Sequence, residues 1–145
     1  MFARTRDYAQ QIVQSFQVVS GGVASHAGSL SGGNLQKFII GRELLQKPMV
    51  LVVAHPTWGV DAGAAAAIHS ALLDLASQGT AILMVSQDLD ELLQISDRIA
   101  VLSGGRLSEC MVTADADIGR IGLLMGGHGP ENNNDSTGGQ RAAQT

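Results

Sequence analysis

Residues Val50–Asp61 read VLVVAHPTWGVD. With Met49 in front, the run Met49–Ala54 is short and apolar throughout, the pattern of a strand covered on both faces. It ends in a polar loop around Pro56. From Asp61 to Ser77 the chain is an Ala/Leu-rich helix, stopped by Gln78-Gly79. Thr80–Ser86 (TAILMVS) is a second run of the buried-strand kind. Strand, helix and strand in that order predict a mainly parallel sheet with helices on its faces, an α/β protein.

Outward on the N-terminal side, Lys47-Pro48 closes the preceding element, because proline lacks a donor and restricts the residue before it. That element is a helix from Ser31, its N-cap, to about Gln46. Val19–Ser29 is a Gly/Ser-rich loop. Before it, Tyr8, Ile12 and Phe16 recur every four residues and mark one face of a helix over Arg6–Val18. On the C-terminal side, Asp88–Ile95 is a short helix with acids in its first turn, where the helix dipole favours them. Arg98–Leu102 and Arg106–Cys110 flank Ser103-Gly104-Gly105, a hairpin signal. Asp115–Met125 reads as a closing helix, and Gly126–Thr145 is a polar stretch expected to be disordered. Three main strands are few for a sheet buried on both faces. The core therefore looks unfinished on its N-terminal side.

The 145 residues suffice for one domain with a real core, and 45% are apolar while only 3% are aromatic. A net charge of −4 argues against a nucleic-acid surface. The single cysteine, Cys110, excludes an internal disulfide, fits a reducing cytoplasm and reads as a small buried or half-buried apolar residue. No apolar run reaches the roughly 18 residues of a membrane helix. The polar start MFARTRDYAQQ lacks the apolar segment of a signal peptide. These features predict a chain soluble by itself. His26, His69 and His128 have no metal-ligand spacing with one another or with Cys110. Trp58, the one tryptophan, fits a partner contact or a half-buried packing residue equally well.

Leu30-Ser31-Gly32-Gly33-Asn34-Leu35-Gln36-Lys37 is the most informative octet. A serine and two glycines at a helix start leave backbone N–H groups free and pointing outward. The helix dipole adds partial positive charge there, and glycine lets an anion approach the backbone without meeting a Cβ. The Ser31 hydroxyl can add one hydrogen bond to a phosphate oxygen. The result is a potential anion site. Taken alone, the same residues also serve as an ordinary N-cap.

The order of LSGGNLQK, a helix, a buried strand ending in PTWGVD, a second ending in SQDLDEL, and then DRIAVLSGGRL resembles the ABC-transporter ATPases. The likeness runs from about Ala3 to Met125 and is strongest to the second ATP-binding half of tandem importers for sugars and nucleosides. It implies a partial P-loop NTPase domain, with residues 1–47 part of the helical signature subdomain, 48–125 the C-terminal part of the ATPase core, and 126–145 a tail. It also implies that Leu30, Ser31, Gly32, Gly33, Asn34 and Gln36 contact ATP held by a facing domain. Asp61, in Gly59-Val60-Asp61, matches the loop that crosses the dimer interface, and it can also cap the following helix.

The family's phosphate loop, GxxxxGK[ST], is absent from this sequence. Neither Lys37 nor Lys47 follows a glycine. Met1 is accordingly read as an internal methionine or the edge of a broken reading frame. By resemblance, Ala54 stands at the Mg²⁺-linked aspartate, His55 at the catalytic glutamate and Gln87 at the switch histidine. Alanine offers Mg²⁺ no oxygen ligand. Imidazole can handle protons near neutrality, but without a metal and a phosphate loop beside it His55 is best read as a polar loop residue. Gln87 can donate a hydrogen bond but carries no charge. An intact signature beside three altered positions fits an asymmetric pair better than decay.

The resemblance thus implies an ATP-binding subunit of an importer, inactive alone. It completes an ATP site whose Mg²⁺ sits on a partner nucleotide-binding domain, and it docks on permease subunits at the cytoplasmic face of the membrane, with a solute-binding protein as indirect partner. The competing readings are a non-transport ABC ATPase of DNA repair or maintenance, which would be expected to keep the strand-end acids, and a truncated remnant without function.

Overall fold

The computed structural model describes residues 2–127. Residues 128–145, which hold His128 and most of the polar stretch expected to be disordered, lie outside the described residues. The chain divides into two compact units, Met1–Ile95 and Ser96–Thr145.

The first unit contains α1 (Phe2–Ser15), a 3-10 turn (Ala27–Ser29), α2 (Gly32–Leu44), β1 (Val50–Ala54), α3 (Ala62–Ser77), β2 (Ala81–Val85) and α4 (Leu89–Ile95). Helix α1 ends three residues earlier than its apolar spacing predicts, because Gln17 turns into the left-handed region at φ 51°. Its stripe still works as one face: Ile12 is buried, and the Phe16 ring lies where a Cβ on Gly41 of α2 would stand. The Tyr8 hydroxyl donates to the Arg42 carbonyl at 2.6 Å. The left-handed Lys47, at φ 49°, and Pro48 follow α2 and redirect the chain into β1.

Strands β1 and β2 pair in parallel over five positions, from Val50↔Ala81 to Ala54↔Val85. The intervening α3 makes the crossover. Ile40 and Leu44 of α2, Leu51 and Val53 of β1, and Ile68, Leu72 and Leu75 of α3 form the core. Burying a side chain of this size contributes about 1.5–3 kcal/mol, whereas a surface ion pair contributes about 0–1 kcal/mol. Packing of α2 and α3 on one sheet face therefore holds this unit together.

The other face departs from expectation. Val50 and Val52 are 65% and 67% exposed, and Leu83 and Val85 are 60% and 48% exposed. The strands are apolar on both sides, but only the Leu51–Val53 side is covered. The unfinished core expected from the strand count appears here as an open apolar face.

The second unit contains β3 (Arg98–Ile99), β4 (Leu102–Ser103), β5 (Arg106–Leu107), β6 (Met111–Val112), a 3-10 turn (Thr113–Asp115) and α5 (Ile118–Met125). Gly104 and Gly105 both take positive φ, 56° and 74°, and close the β4–β5 hairpin. Two consecutive positive φ values suit the right-handed strand twist and favour glycine. The hairpin is shorter than predicted. Arg98–Ile99 pairs with β6 instead, so the hairpin sits inside a second antiparallel pair. Helix α5 starts three residues later than Asp115, where the Asp117 carboxylate accepts from the Gly119 N–H at 2.9 Å. Cys110 is exposed rather than packed, since the chain around it is irregular.

Candidate functional site: the signature turn and the strand-end loop

Ser31 is the N-cap of α2 in extended conformation, with φ −63° and ψ 157°. Its Oγ accepts from the Asn34 backbone N–H at 3.4 Å and from Asn34 Nδ2 at 2.9 Å. Both bonds leave the Ser31 hydroxyl hydrogen available to an outside acceptor. Asn34 Oδ1 in turn accepts from the Val19 N–H at 2.8 Å, which ties the preceding loop to the turn. Ser31 and Gly32 are exposed, and Leu30 is half-buried.

The two signature glycines differ. A Cβ on Gly32 would meet nothing within 4 Å, whereas one on Gly33 would stand 2.8 Å from the Gly59 carbonyl oxygen. Gly33 is thus a close backbone crossing between α2 and the loop after β1. Gly59 itself has φ +68°, which favours glycine. Further along α2, Gln36 Nε2 donates to the carbonyls of His55 and Pro56, each at 3.1 Å. Lys37 Nζ lies 3.2 Å from Asp61 Oδ2. Asp61 also caps α3, its Oδ1 accepting from the Ala64 N–H at 2.9 Å. The Ala64 amide and the Lys37 ammonium together hold the Asp61 carboxyl below its usual range. The signature helix and the PTWGVD loop, about twenty or more residues apart in sequence, are therefore joined by a close packing, two amide hydrogen bonds and an ion pair.

The parallel register brings Ala54 level with Val85, so the polar ends of β1 and β2 lie side by side. His55 follows in the left-handed region at φ 48°, with its N–H donating to the Val85 carbonyl at 2.8 Å. Such a conformation is uncommon for a non-glycine residue. Its ring meets Trp58 edge-on, centroids 5.7 Å apart. Trp58 is 72% exposed, not half-buried as one of its two sequence readings has it. Gln87 is exposed beyond β2. Ala54 and Gln87 place no carboxylate at the strand ends. Among the described residues, no cluster of His, Cys, Asp and Glu could hold a metal ion.

Glu91, read from sequence only as a dipole-favoured acid, is the one buried charged side chain among the described residues. Its Oε1 accepts from Thr57 Oγ1 at 2.6 Å and faces His69 Nε2 at 2.8 Å, while Oε2 accepts from Ser86 Oγ at 2.8 Å. Burial pushes its carboxyl up, but the bonds from Thr57, His69 and Ser86 outweigh burial and bring it below its ordinary 4.5. His69, which shows no metal spacing, thus has a carboxylate partner. A signal for Glu91 does exist in the sequence: it lies four residues before Ile95 and so shares the helix face that packs on the core.

The fold is that of an ATP-binding-cassette ATPase domain, of the P-loop NTPase class. A dimeric ATP-binding cassette in a post-hydrolysis state, bound to ADP and Pi, superposes with a TM-score of 0.67 at 21% identity, over 77% of this chain and 48% of that one. A nucleotide-free ATP-binding cassette from an ABC transporter gives a TM-score of 0.58 at 29% identity, over 73% and 42%. The glucose import ATP-binding protein of Haloferax volcanii is 43% identical over 130 residues, 88% of this chain and 24% of that protein. The nucleoside import ATP-binding protein of Lactococcus lactis is 38% identical over 126 residues, 87% of this chain and 25% of that protein. The galactose/methyl galactoside import ATP-binding protein of Escherichia coli is 39% identical over 125 residues, 84% of this chain and 25% of that protein. No protein-family model matches the chain. The chain belongs to the ATP-binding proteins of ABC transporters. It spans about a quarter of the length of the curated relatives it matches.

Proposed function

We propose that this chain supplies the signature turn of an importer's ATPase, completing an ATP site whose phosphate loop and Mg²⁺ belong to a partner nucleotide-binding domain. The supporting observation is Gly32. Nothing among the described residues needs a glycine there, because a Cβ would enter open space. An anion arriving from outside does need the bare backbone, and the Ser31 hydroxyl hydrogen stands free beside it. ATP bound on the partner offers its terminal phosphate to this turn. Leu30, Ser31, Gly32, Gly33, Asn34 and Gln36 form or brace the turn, and Asp61 lies in the adjoining interface loop.

The chain's own strand-end site is degenerate in this reading. Ala54 has no oxygen for a metal, His55 is spent on shaping the loop, and Gln87 brings an amide instead of a cation. The isolated chain is inactive, and hydrolysis takes place on the partner's nucleotide. No described helix is long and apolar enough to cross a membrane. In this reading, attachment at the cytoplasmic face runs through permease subunits, with a solute-binding protein selecting the cargo. The relatives named for glucose, galactoside and nucleoside import favour a simple sugar or a nucleoside as that cargo.

The test is ATP turnover by a phosphate-loop-bearing partner domain with and without this chain. The wild-type chain raises turnover. Ser31→Arg, which puts a bulky side chain over the open amides, removes the stimulation by on the order of a hundredfold. Equal stimulation by both overturns the reading.

A further inference from the structure

The Glu91 carboxylate is taken out of water, which is costly unless its oxygens are satisfied. Here three donors from three places satisfy it: Thr57 in the loop after β1, His69 on α3 and Ser86 after β2. An apolar side chain would fill the same space without that cost. What the carboxylate adds is a fixed geometry, because all three donors must point at one 5%-exposed residue.

Thr57 is the informative donor. It directly follows His55 and Pro56, whose carbonyls receive Gln36 Nε2 of the signature helix. Two residues later comes Gly59, whose carbonyl oxygen marks the close crossing with Gly33. The loop held by Glu91 from one side therefore seats the signature helix from the other.

We propose that Glu91 is a positioning residue for the signature turn, acting through Thr57 and the carbonyls of His55 and Pro56 on Gln36. It touches no nucleotide. It fixes the height and tilt of the amides at Gly32 and Gly33 from the far side of the loop. The catalytic consequence rests on the proposed signature role; the structural linkage does not.

Two variants separate these points. Thr57→Val deletes one donor at nearly constant shape, and Glu91→Gln replaces one acceptor oxygen with an NH₂ group that faces donors. In the ¹⁵N-labelled full chain, both shift the Gly32 and Gly33 amide resonances and leave those of Ile99 and Ile121 in place. In a Gln36→Ala background the Thr57→Val shift at Gly32 falls by more than half. Gly32 and Gly33 resonances that stay at their wild-type positions overturn the linkage, and Thr57→Val decides alone if Glu91→Gln does not fold. With the partner domain, Thr57→Val lowers kcat about tenfold with little change in KM for ATP, as a misplaced group would. An unchanged kcat overturns the positioning role. A wild-type chain that fails to stimulate the partner counts against the signature reading alone, and the resonance measurement still settles the linkage.

Discussion

At the scale of single residues, Gly32 and Gly33 are identical in the sequence and opposite in the structure. One faces open space and the other crosses the Gly59 carbonyl within 2.8 Å of a would-be Cβ. Gly32→Ala should therefore leave stability within about 0.5 kcal/mol of wild type while weakening the stimulation of a partner's ATP turnover. Gly33→Ala should cost about 1–3 kcal/mol, because a backbone oxygen cannot swing aside. Urea unfolding of the two variants checks this, and equal midpoints would contradict it. The octet announced a helix start with bare amides, and that much was legible. Which glycine crosses another backbone segment and which faces open space was not, since the Gly59 carbonyl comes from a loop 26 positions away.

At the scale of elements, α4 shows where pattern reading stops. Its seven residues, LDELLQI, present acids in the first turn, and the helix dipole explains them adequately from sequence. In the structure Glu91 joins β1's loop, α3 and β2's end instead. Its carboxyl sits below the ordinary 4.5 because the bonds from Thr57, His69 and Ser86 outweigh burial. A carboxyl lowered in the folded state contributes stability that is present above its unfolded value and lost as pH falls through the folded one. The urea midpoint of the chain should hold from neutral pH down to about 5 and decline below 4.5. Asp61, also lowered from its ordinary 3.8, adds a decline further down. Glu91→Gln should start less stable at pH 7 and lose less on acidification, with the decline that comes from Asp61 remaining. A variant as steep as wild type between pH 5 and 4 would rule out the network as the source.

At the scale of the whole chain, the open sheet face dominates. Val52 and Leu83 are cross-strand partners in the β1–β2 register, and both stand on the exposed side. Apolar area of this kind drives association in water. The isolated chain should self-associate at micromolar concentration. The pair Val52→Thr with Leu83→Thr, which keeps β-branching at the first site and adds it at the second, should shift sedimentation toward monomer without moving the far-UV circular dichroism. An unchanged sedimentation profile would show that this face is not what holds the copies together.

The sequence by itself determined the main helices, the two parallel strands and their order, because strand and helix periods, the Ser31 and Asp61 caps and the Lys47-Pro48 stop are local signals of the chain's own backbone chemistry. It also fixed the family likeness and the absence of acids at Ala54 and His55, which are matters of residue identity. Only the tertiary structure decided that one face of the strands lies bare, that Glu91 is buried among three donors, and that the signature helix is bolted to the PTWGVD loop through Gln36, Lys37 and Gly33. Apart from the Ser86–Glu91 bond, those are contacts between residues about twenty or more apart in the chain or faces chosen by packing. No periodicity along the sequence carries the distance between two elements that meet only after folding.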